Sequence, residues 1–186
     1  MFTEIINGIE LSFETANNIV SPFSIDKGTL AMLSVIEFSN DDKLLDLGCG
    51  YGVVGIYAAK LIGAQNVVMS DNNVKCIELS KKNAEQNGVS VVKIIKSNSF
   101  EDIQDTDFTL ILSNPPYHAD FSIPKHFIEK GFNRLKIGGK MFMVTKRKDW
   151  YKNKFIAIFG GVKIHEIDGY FVFCAEKRSK LYANNK

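Results

Sequence analysis

Between positions 44 and 55 the chain reads Leu44-Leu45-Asp46-Leu47-Gly48-Cys49-Gly50-Tyr51-Gly52-Val53-Val54-Gly55. A mostly apolar run of strand length stops at three closely spaced glycines, and the residues beyond them have the spacing that opens a helix. The same alternation recurs downstream. Strands are expected over 43–47, 66–70, 89–96 and 108–113. Helices are expected over 53–61 and 73–86, the second ended by Asn87-Gly88. The run over 108–113 is almost wholly apolar, as a strand covered on both faces must be. A helix over about 124–135, a Gly138-Gly139 turn, a strand over 140–145 and a helix over about 149–158 follow. Strands over 162–167 and 170–176 close the pattern, joined by Asp168-Gly169, a two-residue hairpin signal. Repeated strand–helix units of this kind specify an α/β fold whose sheet is parallel with one antiparallel strand at its end.

Upstream, Asn7-Gly8 between two apolar arms predicts a small hairpin over 4–11. Leu30, Leu33 and Ile36 recur at helical spacing behind Asp26, which predicts a helix that stops near 39–42. With no repeat or low-complexity linker, the 186 residues are read as one domain, in which 1–25 form a hairpin and lead-in and 26–186 the α/β core. A content of 45% hydrophobic and 24% charged residues excludes disorder and collagen. Three cysteines, Cys49, Cys76 and Cys174, lie far apart without metal-ligand spacing, so neither a disulfide framework nor a metal site is expected. The longest apolar runs fall well short of the roughly 20 residues that span a bilayer, and the first residues lack the features of a signal peptide. A cytoplasmic protein is expected. Lys and Arg (23) nearly balance Asp and Glu (21), so any surface that grips nucleic acid must be local.

The glycine loop has the context of a nucleotide-type site. Gly48 and Gly50 can adopt backbone angles closed to other residues and let a ligand touch the main chain, while the helix that follows presents free N–H groups. About 20 residues on, Asp71 ends the next strand, where a carboxylate can accept from both hydroxyls of a ribose. Spacing alone allows NAD, FAD or S-adenosylmethionine. Asp46, two residues before Gly48, would repel a pyrophosphate but attract the sulfonium and ammonium of S-adenosylmethionine. The loop also lacks the Lys of a triphosphate-binding motif. S-adenosylmethionine is therefore the expected cofactor.

The string DLGCGYG, an acid at the end of the next strand and Asn114-Pro115-Pro116-Tyr117 after the fourth together resemble the class I S-adenosylmethionine-dependent methyltransferases over most of the chain. Val20-Ser21 with Ile25-Asp26-Lys27-Gly28-Thr29, and His118 after the NPPY string, narrow the resemblance to the small methyltransferase domain family, which includes 16S ribosomal RNA guanine-N2 methyltransferases. The resemblance implies a doubly wound, Rossmann-like sheet of seven strands with a reversed last strand and helices on both faces. It implies that Asp26, Gly28 and Thr29 frame the methionine end of the cofactor and that Asp71 holds the ribose. Asp46, Gly48, Cys49, Gly50, Asn72 and Asn114 complete the expected cofactor site. In one place the sequence departs from the family, which usually carries an acid that accepts from the adenine amine after the third strand. Here the stretch is Ser97-Asn98-Ser99-Phe100, and Asn98 can accept only through an uncharged amide oxygen.

Asn114-Pro115-Pro116-Tyr117 follows an apolar strand, at the sheet edge where ligands of open α/β folds bind. An exocyclic amine or amide nitrogen is a poor nucleophile because its lone pair is delocalised. Two acceptors on its hydrogens, the side-chain oxygen of Asn114 and the carbonyl of Pro115, would draw it toward a tetrahedral, reactive shape. The prolines stiffen the turn, and Tyr117 offers a face on which a planar substrate stacks. Amines of adenine or guanine and the amide of a protein glutamine all fit that geometry.

His118 either contacts an RNA backbone, closes the pocket or holds a neighbouring group. Cys49 is read as a packed residue rather than a nucleophile. The phenylalanines are read as mostly core, with a few, such as Phe23 or Phe121, able to line the pocket mouth. In Lys146-Arg147-Lys148-Asp149-Trp150-Tyr151-Lys152-Asn153-Lys154 cations and aromatics interleave just after a strand end, so Lys146, Arg147 and Lys148 are expected to meet RNA phosphates. Lys177-Arg178-Ser179-Lys180 is expected to be a solvated tail. The expected activity is methylation of an RNA base, most of all guanine N2 of small-subunit ribosomal RNA. A protein-glutamine methyltransferase, or a module that binds cofactor and RNA without turnover, are the alternatives.

Overall fold

The computed structural model describes residues 1–17, 19, 23–116 and 120–185. Val20, Ser21, Tyr117 and His118 therefore lie outside the described residues. The first two strands, β1 (Phe2–Ile6) and β2 (Ile9–Phe13), pair antiparallel across Asn7 and Gly8, whose φ angles of 47° and 82° are those of the expected two-residue turn. Leu11 and Phe13 are fully buried in the cluster that also holds Met32 and Tyr57, so the hairpin is part of the core packing.

After helix α1 (Lys27–Ser34) come β3 (Leu44–Leu47), α2 (Val53–Ile62), β4 (Val67–Asp71), α3 (Val74–Gln86), β5 (Lys93–Lys96) and β6 (Phe108–Ser113). Helix α4 (Ser122–Arg134), β7 (Leu135–Thr145), α5 (Asp149–Phe159), β8 (Lys163–Ile167) and β9 (Tyr170–Glu176) complete the chain. Strands β3 to β9 form one seven-stranded sheet in the order β5-β4-β3-β6-β7-β9-β8. The pairs within β5-β4-β3-β6-β7 are parallel; β9 runs antiparallel to both β7 and β8. The reversed strand is thus the last in the chain, and in the sheet it is slotted between β7 and β8. Side chains alternate between two cores. Leu44, Met69, Leu112 and Val144 pack under α1, α2 and the hairpin, and Leu45, Val68, Ile111 and Met143 pack under α4 and α5.

Several boundaries differ from the sequence expectation. Helix α1 ends at Ser34, whose hydroxyl bonds the carbonyl of Ala31, and Ile36 is buried outside the helix. Strand β5 begins at Lys93 because 89–92 make turns that bury Val89 and Val92. The expected Gly138-Gly139 turn is instead an irregularity inside β7, where the pairing jumps from Phe108↔Leu135 to Leu110↔Lys140. A Cβ on Gly139 would lie 2.7 Å from the carbonyl oxygen of Phe108, so only glycine lets the strands close there. Lys177 is not part of a solvated tail. It is buried, its Nζ donates to the carbonyl of Leu135 at 2.8 Å, and its backbone bonds Gly138 and Gly139 across the same irregularity. Burial pushes its pKa down.

Candidate active site

Strands β3-β4-β5 are laid down in one direction across the sheet, and the chain then crosses back to place β6 on the other side of β3. The crevice between the carboxyl ends of β3 and β6 is therefore the topological switch point, where open α/β sheets bind ligands. The carboxyl ends of β3, β4, β5, β6 and β7 lead into or carry the glycine loop, Asp71, Asn98, Asn114 and Lys146 respectively, and parallel pairing puts all five at one edge. Ser113 fixes the gap by donating to the carbonyl of Leu47 at 2.8 Å.

The glycine loop is held from below and left bare above. The N–H groups of Gly48 and Cys49 both donate to the carbonyl of Ser70 at 2.9 Å. Gly48 and Gly50 have φ of 75° and 56°, and a Cβ on Gly50 would meet nothing within 4 Å. The main chain there is open to a ligand. Asp71 orders the loop through one oxygen, which accepts from Gly50 N at 2.9 Å, and turns the chain into α3 through the other, which accepts from Asn73 N at 2.9 Å. Each carboxylate oxygen keeps acceptor capacity for a further donor. Asn72 is exposed beside it. Asn98 is exposed too, its Nδ2 spent on Glu101 at 3.0 Å, which turns the amide oxygen away from that partner.

Two side chains of α3 that sequence reading did not single out lock this loop. The Ser80 hydroxyl donates to the carbonyl of Gly50 and Asn83 Nδ2 to that of Tyr51, both at 2.8 Å, and both side chains are fully buried. Asn83 also bonds Glu14 through both ends of its amide, and Asn87 does the same with Ser12. The signal was there as Ser80 and Asn83 on the face of α3 that packs inward, with Asn87 as its C-cap.

Asp46, expected in the cofactor site, is shielded from solvent. It is buried beneath the loop, and its Oδ2 accepts from Gly55 N of α2 at 2.8 Å. Burial pushes its pKa up to about 7, the Gly55 N–H opposes that, and the charge of Asp71 adds to it. Cys49 is packed against Ser80, with its thiol pushed well above the ordinary range by burial, so it stays protonated.

Across the crevice, Asn114 is half-buried at the end of β6, followed by a buried Pro115 and an exposed Pro116. Its Nδ2 donates to Asp26 Oδ2 at 2.9 Å and to Thr29 Oγ1 at 3.0 Å. The same Asp26 oxygen accepts from Thr29 N at 2.9 Å and so caps α1. Gly28 lies against Tyr170: a Cβ there would come within 2.8 Å of that ring. The N-terminus of α1, the β6 exit and the start of β9 thus meet at one point.

The signature of the methyltransferase small domain matches residues 10–174. The chain belongs to that family. It is 30% identical over 174 residues to the uncharacterised protein YbxB of Bacillus subtilis, covering 90% of this chain and 87% of that one. It is 30% identical over 165 residues to ribosomal RNA small subunit methyltransferase C of Psychromonas ingrahamii, covering 87% of this chain and 47% of the other. A T. thermophilus 16S rRNA N2 G1207 methyltransferase, solved in complex with AdoMet and guanosine, superposes with a TM-score of 0.82 at 26% identity over 95% of this chain and 50% of that one. The chain spans about half the length of these two ribosomal RNA methyltransferases. By family it is an S-adenosylmethionine-dependent methyltransferase, and the bare glycine loop with Asp71 beside it fits that cofactor.

The methyltransferase carries three neighbouring exposed cations, Lys146, Arg147 and Lys148, where β7 reaches the same edge. Each sits over an aromatic ring: Lys146 over Tyr170 and Arg147 over Phe121, both at 5.0 Å, and Lys148 over Phe171 at 5.5 Å. Phe121 in turn stacks on Trp150 at 4.4 Å. Tyr151 faces the core against Phe173, and the hairpin of β8 and β9 supplies two of the rings instead. Phe23 is 81% exposed, unlike the core phenylalanines. No helix among the described residues is long and apolar enough to cross a membrane, and no group of three or more His, Cys, Asp or Glu among them is placed to hold a metal.

Proposed function

We propose that this chain methylates an exocyclic amine of an RNA base in the cytoplasm, with guanine N2 of small-subunit ribosomal RNA as the target. The observation that carries the proposal is the convergence of the glycine loop, Asp71 and Asn114 on one crevice at the switch point. Similarity to the T. thermophilus guanine-N2 enzyme supports the choice of base and subunit. When bound, S-adenosylmethionine supplies a methyl group on a positively charged sulfur. Asp71 holds the ribose hydroxyls, Gly48 and Gly50 lie against the methionine portion, and Asn98 accepts from the adenine amine. Asp46 acts beneath them through its field, partly charged near neutral pH.

Asn114 Oδ1 and the carbonyl of Pro115 accept the two amine hydrogens and pull the nitrogen out of conjugation. Its lone pair then forms the new N–C bond as the S–C bond breaks, and the surplus proton leaves for water. These acceptors act most strongly as positive charge develops on nitrogen, so their contribution falls on the transition state. Tyr117 and His118 of the same loop are assigned to the base, Tyr117 by stacking. Lys146, Arg147 and Lys148 meet phosphates flanking it, their stems held in place by the rings beneath.

Transfer of radiolabelled methyl into separated small subunits, large subunits and total protein tests this. Label in small-subunit RNA, recovered as N2-methylguanosine by mass spectrometry and missing from a deletion strain, is expected. Label in protein glutamine would transfer the same acceptors to the rival substrate. Donor binding without label in any fraction would leave a binding module.

A further inference from the structure

We infer that Asp26, the N-cap of α1, and Thr29, in its first turn, are positioning residues that hold the Asn114 amide in the orientation that turns its acceptor oxygen to the substrate. The inference rests on the reading that Asn114 accepts from the amine. An asparagine amide has nearly the same shape when turned over, but its two ends have opposite hydrogen-bonding character. Turned over, Asn114 would aim N–H donors at an amine whose hydrogens need acceptors.

The surroundings separate the two orientations. Nδ2 has two hydrogens and meets two acceptors, Asp26 Oδ2 at 2.9 Å and Thr29 Oγ1 at 3.0 Å. A carboxylate has no hydrogen to give, so Oδ1 in that place would oppose oxygen to charged oxygen. The hydroxyl of Thr29 can donate as well as accept, so Asp26 selects the orientation and Thr29 completes it. The carboxylate is itself fixed, since the same Oδ2 accepts from Thr29 N at 2.9 Å as the cap of α1. A single oxygen therefore ties the start of α1 to the catalytic loop, 88 positions away in the chain. Gly28 between the two residues admits no side chain on its Tyr170 side, which keeps this turn closed against the start of β9.

Asp26→Asn tests the idea because asparagine caps a helix as well as aspartate does, so α1 is preserved while the charge that selects the orientation is lost. In single-turnover methylation at saturating donor and RNA, Asp26→Asn is expected to fall at least tenfold. The same change made in the Asn114→Ala protein is expected to cost less than twofold. An equal loss in both backgrounds overturns the inference and leaves Asp26 as a donor ligand or a helix cap only. Thr29→Val is expected to slow turnover severalfold, and Thr29→Ser, which keeps the hydroxyl, to restore it. A second readout needs no methyl acceptor. The side-chain amide protons of Asn114, identified in a proton–nitrogen correlation spectrum by their loss in Asn114→Ala, are expected at shifted positions in the wild type and at ordinary solvent-exposed positions in Asp26→Asn. Resonances that stay put overturn the inference. If they move while the wild type labels no RNA, the substrate assignment fails and the positioning stands.

Discussion

At the scale of single residues, the proposed function divides the site into an acceptor half around Asn114 and a donor-holding half around Asp71. Asn114→Ala is expected to leave donor affinity within about twofold while lowering kcat on the order of a hundredfold, since in the proposed reaction its oxygen acts mainly on the charge that develops in the transition state. Single-turnover rates beside calorimetric donor binding check this. Asp71→Ala should do the reverse. On the proposed placement of the ribose it removes charge-assisted bonds of about 1.5–3 kcal/mol, so both the donor and its demethylated product are expected to bind about ten- to a hundredfold more weakly by calorimetry. Asp46 gives a pH signature. Its folded pKa of about 7 lies above the ordinary 3.8, so the folded protein keeps a proton that the unfolded chain has lost between those values. This carboxyl therefore takes stability away as pH rises through that window, by at most about 1.4 kcal/mol per pH unit, and no further above it. In donor-free melts, Asp46→Asn should gain on the wild type from about pH 4.5 to 7 and hold a constant lead beyond. A gap that does not change with pH would show that burial leaves this acid unshifted.

At the scale of elements, α2 approaches β4 too closely for a side chain at its first turn. A Cβ on Gly55 would lie 2.4 Å from Met69 Cγ and 3.2 Å from Asp46 Oδ2. Gly55→Ala gains the usual advantage of alanine in a helix, under about 1 kcal/mol, but must push both neighbours aside in a close-packed core. A net loss of about 1–3 kcal/mol in urea denaturation is expected, with weaker donor binding because α2 carries the glycine loop at its head. The element boundaries that sequence reading missed share a cause. The Gly138-Gly139 pair, Ile36 and Val89 each carry a strong local signal that tertiary packing overrode, the first by a kink that only a neighbouring strand makes necessary.

At the scale of the whole molecule, a net charge of +2 leaves any attraction for the proposed RNA substrate to a local patch. Replacing Lys146, Arg147 and Lys148 together by Ala should flatten the slope of log K against log salt by up to about 0.7–0.9 for each phosphate they neutralise in the wild type, without changing which base is methylated. Filter binding across a salt series reads the slope, and nucleoside analysis reads the base. An unaltered slope would make these cations, stacked as they are on Tyr170, Phe121 and Phe171, a purely structural surface.

Local structure was legible in the sequence wherever it follows from near neighbours in the chain. The strand–glycine–helix unit at 44–55, the two Asn-Gly and Asp-Gly turns, and Asn114-Pro115 at a strand end all act over a few residues, and backbone sterics and periodicity register them. What crosses between elements was decided only by folding. The orientation of Asp46 beneath the loop, the lock of Ser80 and Asn83 on the loop carbonyls, the rings beneath the basic cluster and the grip of Asp26 on Asn114 all depend on residues brought together from different elements. Their partners are chosen by sheet order and register. Those depend on the burial of every strand at once, so no stretch of sequence carries them by itself.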